Sequence, residues 1–408
     1  MKSSKLRINL LSFLLCLILV SGTVIHKTWF AKDVNENRHI TVGFVFDGDE
    51  SAPYSYNFIR AIHQIESQYG DKVTVIPVRN ITEDHIAEAL DTLAEQKCDL
   101  IVTTSYGYAA YTKEFAGEHP EIEFIEATGD NANTDPVYDN YHTFMGEIYQ
   151  GRYVAGIAAG MKLEEMIQNG IISPEEAVIG YVAAFPVAEV ISGYTAFFLG
   201  IRSRVPSATM KVCYTNSWGD YVMEKEYTEK LIADGCVIIS QHSDTIGPAV
   251  ACEEADEPHP VYHVGYNQSM MDVAPTTSLI STRINWTPYI LGAVDAVLKQ
   301  KKIEDHVSGT VRGNDMSASF NKNWVQMVEL NTIIAAKGTQ EEIDQAIRSF
   351  KNGKVHVFKG DYIGVNPDDP NDIWDLNTEF KENKNASSPS FHYVLKDVIE
   401  IVDYSEAE

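Results

Sequence analysis

His39 to Gly48, HITVGFVFDG, is an apolar run rich in β-branched residues that stops at Asp47-Gly48, and Ala177 to Phe185, AVIGYVAAF, answers it later in the chain. Runs of this kind, bounded by turn residues and separated by helical patterns, read as strands of a parallel sheet. Three more follow each of them. KVTVIPVRN (from Lys72), CDLIVTTSYG (from Cys98) and EIEFIEATGD (from Glu121) complete the first set; MKVCYTNSWGD (from Met210), CVIISQHSD (from Cys236) and VYHVGYNQ (from Val261) complete the second. Corresponding runs start about 138 to 140 residues apart, which points to two similar units rather than to chance spacing.

Between the strands the apolar period changes. Phe58, Ile59, Ile62 and Ile65 share one side of a helix over 56–69, and Leu90, Leu93 and Ala94 share one side of another over 86–96. The expected fold class is α/β: two Rossmann-like lobes, parallel sheets with helices on both faces, and a hinge between the lobes. Lobe 1 takes 39–148 with a returning helix over 288–302, lobe 2 takes 149–286, 303–360 completes the lobes, and 361–408 forms a C-terminal tail, loop-like over 368–372 and 382–388 with an apolar run from Tyr393 to Val402, to which no role is assigned.

With 408 residues and 44% apolar content the chain has ample material for two cores. A formal net charge of −26 repels phosphate backbones over most of the surface and argues against nucleic acid as a partner. The N-terminus carries Lys2, Lys5 and Arg7 ahead of an apolar run from Ile8 to Ile25, so residues 1–30 read as an export signal or a retained membrane anchor, with the body outside the cytoplasm. Cys98, Cys213, Cys236 and Cys252 are too sparse for a disulfide framework and read as buried small hydrophobes, with a Cys213–Cys236 bridge as the alternative.

Ligands of open α/β sheets bind beyond the carboxyl ends of the strands. That rule selects Asp47, Asn80, Ser105 with Tyr106, and Asp130 in lobe 1. In lobe 2 it selects Phe185, Ser217 with Trp218, His242 with Asp244, and Tyr266 with Asn267. Tyr54, Tyr56, Tyr106, Phe185, Trp218 and Tyr266 fall on the side where the lobes face each other, and such aromatics hold a flat ring by offset stacking. Asp47, an acceptor at a strand end, is the expected polar anchor.

No nucleophile elbow, zinc-protease helix, phosphate loop or dinucleotide fingerprint occurs, so neither a cofactor nor a metal is expected. The catalytic alternative is a hydrolase in which Asp244 orients His242 as general base beside Ser217 or Ser243.

GFVFDGDESAPYSYN (Gly43 to Asn57) resembles the opening of the basic membrane protein family, the nucleoside-type substrate-binding components of ABC importers. GEIYQGRYVAGIAAG (Gly146 to Gly160) resembles that family's first hinge, NSWGD (Asn216 to Asp220) its strand-end aromatic, and KNGKVHVFKG (Lys351 to Gly360) its terminal signature. The resemblance implies a type I periplasmic binding protein fold that closes about a hinge on a purine. Asp47 would hydrogen-bond the base, Tyr56 and Trp218 would stack on it, and Asn57 would support the loop. Where nucleoside-binding members hold ribose with Asp and Lys, this chain has Tyr266 or Asn267 and Ile284. PVAEVISGYTAFFLGIRS, QHSD and INWTPY look closer to a branch thought to take free nucleobases. The expected protein is thus an extracytoplasmic receptor that hands a purine base or nucleoside to an ABC permease; the alternative is a membrane-anchored sensor of the same fold.

Overall fold

The computed structural model describes residues 38–405. The apolar run expected to direct export or anchorage lies outside the described residues. Among the described residues no helix is long and apolar enough to cross a membrane.

Ten strands form two equivalent groups in chain order. The first is β1 (Ile40–Val45), β2 (Val73–Val78), β3 (Leu100–Thr103), β4 (Glu123–Ala127) and β5 (Tyr141–Gly146). The second is β6 (Val178–Ala183), β7 (Thr209–Tyr214), β8 (Ile238–His242), β9 (Tyr262–Tyr266) and β10 (Ser278–Ile284). Neighbours within each group pair in parallel, in the orders β2-β1-β3-β4-β5 and β7-β6-β8-β9-β10. The later chain then adds strands to both sheets. β11 (Thr310–Arg312) and β12 (Asp315–Ala318) extend the first beyond β5, while β13 (Val325–Met327) pairs antiparallel with β10. The two repeats recognised as periodic text are therefore two sheets with the same strand order.

The chain crosses between lobes three times: after β5, after β10 and between β12 and β13. These crossings touch, since a Cβ on Gly146 would lie 2.9 Å from Ile284 Cγ2 and 3.1 Å from the Trp324 carbonyl oxygen. The helix Ile148–Gln168 that enters lobe 2 packs on the helix Ala188–Arg202 through a pair of glycines. A Cβ on Gly156 would come within 2.0 Å of the Phe197 carbonyl oxygen, and one on Gly200 within 2.2 Å of that of Tyr153. Only hydrogen at both positions allows this backbone approach.

Lys354 to Gly360, KVHVFKG, reads from sequence as a short strand but forms turns, because Val357 and Phe358 are buried by packing of a loop, with the Phe358 ring 4.1 Å from that of Phe391. The segment after 360 keeps loops over 368–372 and 382–388 and adds strands around them. It builds a three-stranded sheet from β14 (Ile363–Val365), β15 (Ile373–Asp375) and β16 (Val394–Leu395), and β17 (Ile399–Ile401) then joins the lobe 2 sheet in parallel with β7. All four cysteines after the N-terminal run are buried and free. The sheet order supplies a reason: β6 separates β7, which carries Cys213, from β8, which Cys236 precedes.

Candidate functional site

The carboxyl ends of both sheets face one partly open cavity. Asp47, Tyr54, Ser105, Tyr106 and Thr128 line it from lobe 1; Glu189, Trp218, His242, Asp244 and Tyr266 line it from lobe 2. Away from the crossings it continues into a wider chamber whose walls include Gly48, Ser51, Glu83, Phe185, Asn216 and Tyr221.

Each wall has a local cause. Asp47 follows β1 and accepts a hydrogen bond from Ser55 Oγ at 3.1 Å, so the turn into the helix Pro53–Tyr69 holds its carboxylate. Tyr54 leaves the first turn of that helix, its hydroxyl donating to the Thr104 carbonyl oxygen at 2.5 Å and its ring meeting Phe58 and Trp286 edge-on. Trp218 follows β7 and packs against Phe185 with ring centroids 5.0 Å apart. Tyr266 ends β9 with the Arg152 guanidinium 3.6 Å from its ring centroid.

Eight of the expected residues share the cavity: Asp47, Tyr54, Ser105, Tyr106, Trp218, His242, Asp244 and Tyr266. Phe185 belongs instead to the wider chamber, behind Trp218. Tyr56 does not line either space. Successive helical residues turn by about 100°, so two residues beyond Tyr54 the side chain points elsewhere, and its ring sits 5.0 Å from the Arg60 guanidinium. Tyr54 holds the place expected of Tyr56.

Asn57 and Asn267 bond each other rather than line the cavity. Asn57, 2% exposed, donates from Nδ2 to Asn267 Oδ1 at 3.0 Å and accepts from Gln268 Nε2 at 2.7 Å. Arg60 Nη2 donates to Gln268 Oε1 at 3.1 Å, and Asn267 Nδ2 donates to Asp244 Oδ1 at 3.2 Å. One amide network thus ties lobe 1 to lobe 2 and holds a cavity carboxylate.

Glu189 escaped the strand-end rule because it stands in the first turn of the helix Ala188–Arg202, where acidic residues are ordinary. The signal was the distance of four residues from Phe185 at the end of the strand run, which places that turn at the same rim. Its carboxylate makes no hydrogen bond to protein among the described residues, although the residue is only 9% exposed.

Three carboxylates and no Lys or Arg line the cavity. Burial raises Asp47 above the usual carboxylate range and raises Asp244 well above it, helped for Asp244 by the charges of Asp47, Glu224 and Glu189. Burial, with the Arg152 charge behind it, lowers His242 to about 4, so its imidazole is neutral. Arg152 is 1% exposed, donates from Nη1 to the Gln241 carbonyl oxygen at 2.8 Å, and leaves Nε and Nη2 without partners among the described residues.

The elements of a hydrolytic centre are not assembled. His242 Nδ1 has no partner among the described residues and Asp244 is held by Asn267, so the carboxylate does not orient the imidazole. Ser243 Oγ donates to Glu224 at 2.8 Å.

A purine-binding protein of Brucella abortus is 29% identical over 324 residues, covering 79% of this chain and 83% of its own. A putative ABC transporter glucose-binding protein of Haloferax volcanii, TsgA13, is 32% identical over 225 residues, 55% of this chain and 50% of its own. Among solved structures, an ABC transporter solute-binding protein from Conexibacter woesei has a TM-score of 0.60 at 14% identity, covering 78% of this chain and 97% of its own. A transcriptional activator of the comK gene from Bacillus halodurans has 0.56 at 19%, covering 76% and 97%. The likeness to these two structures establishes the type I periplasmic binding protein fold. The model of the family described as ABC transporter substrate-binding protein, PnrA-like, matches residues 40–358, both lobes and all three crossings, and the chain belongs to that family.

Proposed function

We propose that this substrate-binding protein takes a purine base or nucleoside into the cavity between its lobes, outside the cytoplasm, and delivers it to an ABC permease. The observation that carries the reading is the cavity itself: Tyr54 and Tyr106 from one lobe and Trp218 and Tyr266 from the other surround three carboxylates. A flat heterocycle satisfies the aromatic faces, and its N–H groups satisfy the acceptors. The Brucella relative named for purine binding supports the same class. With no cation on the walls, the site is suited to neutral bases and nucleosides and repels nucleotides.

Titration calorimetry of the body from residue 38 onward against adenine, guanine, hypoxanthine, their nucleosides and AMP tests this. At least one base or nucleoside is expected to bind and AMP is not. Silence across every base and nucleoside removes the purine reading.

A further inference from the structure

Glu189 presents an unusual balance. A carboxylate that borders a cavity without accepting a hydrogen bond from the protein is left for solvent or a ligand to satisfy. This one is 9% exposed, has His242 Nε2 beside it at 3.6 Å but accepts no hydrogen bond within 3.5 Å among the described residues, and borders a cavity it shares with Asp47 and Asp244. A plain dipole-complementing role at the start of the helix Ala188–Arg202 would be met equally well by a carboxylate in solvent. Its orientation into the cavity is what that role leaves unexplained.

His242 stands beside it. The Nε2 atom lies 3.6 Å from Glu189 Oε1, beyond hydrogen-bond distance, so neither group uses up the other. The opposite ring atom, Nδ1, is buried without a partner and presses on the helix backbone, where a Cβ on Gly193 would come within 2.9 Å of it. A neutral imidazole carries one N–H. On Nδ1 that proton would be a buried donor with no acceptor; on Nε2 it sits next to a carboxylate, which the electrostatics favour. Lobe 2 therefore offers the cavity an acceptor and a donor side by side.

We propose that Glu189 is a specificity-determining residue whose carboxylate accepts an N–H of the bound ring while His242 Nε2–H donates to the adjacent ring nitrogen or carbonyl oxygen. The site then selects a heterocycle with a donor and an acceptor next to each other on one edge. It rejects one whose N–H has been alkylated or removed. This rests on the purine reading and deepens it.

The test is calorimetry of wild type, Glu189→Gln and Glu189→Ala against two series: adenine, purine and 9-methyladenine; guanine, hypoxanthine and 9-methylguanine. In wild type the parent base is expected to bind best. Losing the acceptor is expected to weaken parent-base binding about 10- to 100-fold in Glu189→Ala. Glu189→Gln, which keeps one acceptor oxygen, is expected to fall between. The loss is expected to track one N–H: the preference for the parent over the analogue lacking that N–H collapses in Glu189→Ala. Ligand-free melting of Glu189→Ala is expected to stay close to wild type, because this carboxylate accepts no hydrogen bond within the protein among the described residues. Equal losses for all three members of a series, or none, overturn the proposal while leaving the purine reading intact. If wild type itself binds no purine, the reading fails before any variant is made.

Discussion

Side chains expected to share one role have unrelated fates here. Trp218 forms a wall of the cavity, whereas Tyr56, expected to stack on the ligand with it, leans on Arg60. Trp218→Ala is expected to cost about 1 to 3 kcal/mol of purine binding through lost burial and stacking, and Tyr56→Ala to leave affinity within about threefold, a difference of under about 1 kcal/mol. Calorimetry on the two variants compares them directly; equal effects would return Tyr56 to the site. Away from the cavity, His142 is buried between Glu304, at 2.5 Å from Nδ1, and Glu123, at 3.0 Å from Nε2. Burial opposes its charge, but the bonds to Glu123 and Glu304 outweigh that and raise it from 6.5 to about 9. A histidine raised on folding adds stability that is complete below the unfolded value and disappears as pH climbs through the folded one. Wild type is expected to exceed His142→Asn by about 3 kcal/mol near pH 6, on the order of 1.4 kcal/mol per unit, and to lose that advantage by about pH 9.5. Denaturant melts across that range read it, and a gap constant with pH would count against a charged His142.

Elements are placed by contacts that propensity does not encode. The crossing of Ile148–Gln168 over Ala188–Arg202 depends on Gly156 and Gly200, each facing a carbonyl oxygen closer than any Cβ allows. Helix propensity alone favours alanine at both positions, by about 1 kcal/mol over glycine. Gly156→Ala is nevertheless expected to destabilise the protein by about 1 to 3 kcal/mol, since the helices must separate. A thermal melt decides the sign, and a stabilised variant would mean the crossing has slack. Because this helix pair also carries Arg152 and Glu189, a shift there is expected to weaken ligand binding as well.

At the scale of the whole molecule, two features hold the lobes in relation. One is the network of Asn57, Arg60, Asn267 and Gln268 across the cleft. The other is the C-terminal segment beyond residue 358, where the family match ends. It accepts from Asn133 Nδ2 through the Asn385 carbonyl and donates from Ser387 Oγ to Asp315, both in lobe 1. It then pairs β17 with β7 in lobe 2. Breaking the amide network favours opening, and apparent affinity falls with the share of closed, competent protein. Asn57→Ala is expected to weaken purine binding by about 3- to 30-fold, corresponding to one or two neutral hydrogen bonds, mostly through faster dissociation. Stopped-flow release of a bound purine measures this, and an unchanged release rate would show that closure does not use the network.

The repeat, the α/β class, two similar lobes and eight cavity residues were legible in the chain alone. β-branched runs, helical periods and turn residues are local patterns, and the rule that sites lie at carboxyl ends of parallel strands converts them into positions. The strand-end rule found Asp47, Ser105 and Trp218 for that reason. It missed Glu189, which lies on a helix, and motif position put Tyr56 where a rotation of about 200° over two residues puts Tyr54. The partnership of Asn57 with Asn267, 210 residues away, and the return of the last residues to the edge of β7 follow only from how the lobes meet. Local sequence determined what each segment is; the way one lobe meets the other decided which side chains line the cavity, because that is a property of surfaces brought together and not of any stretch of chain.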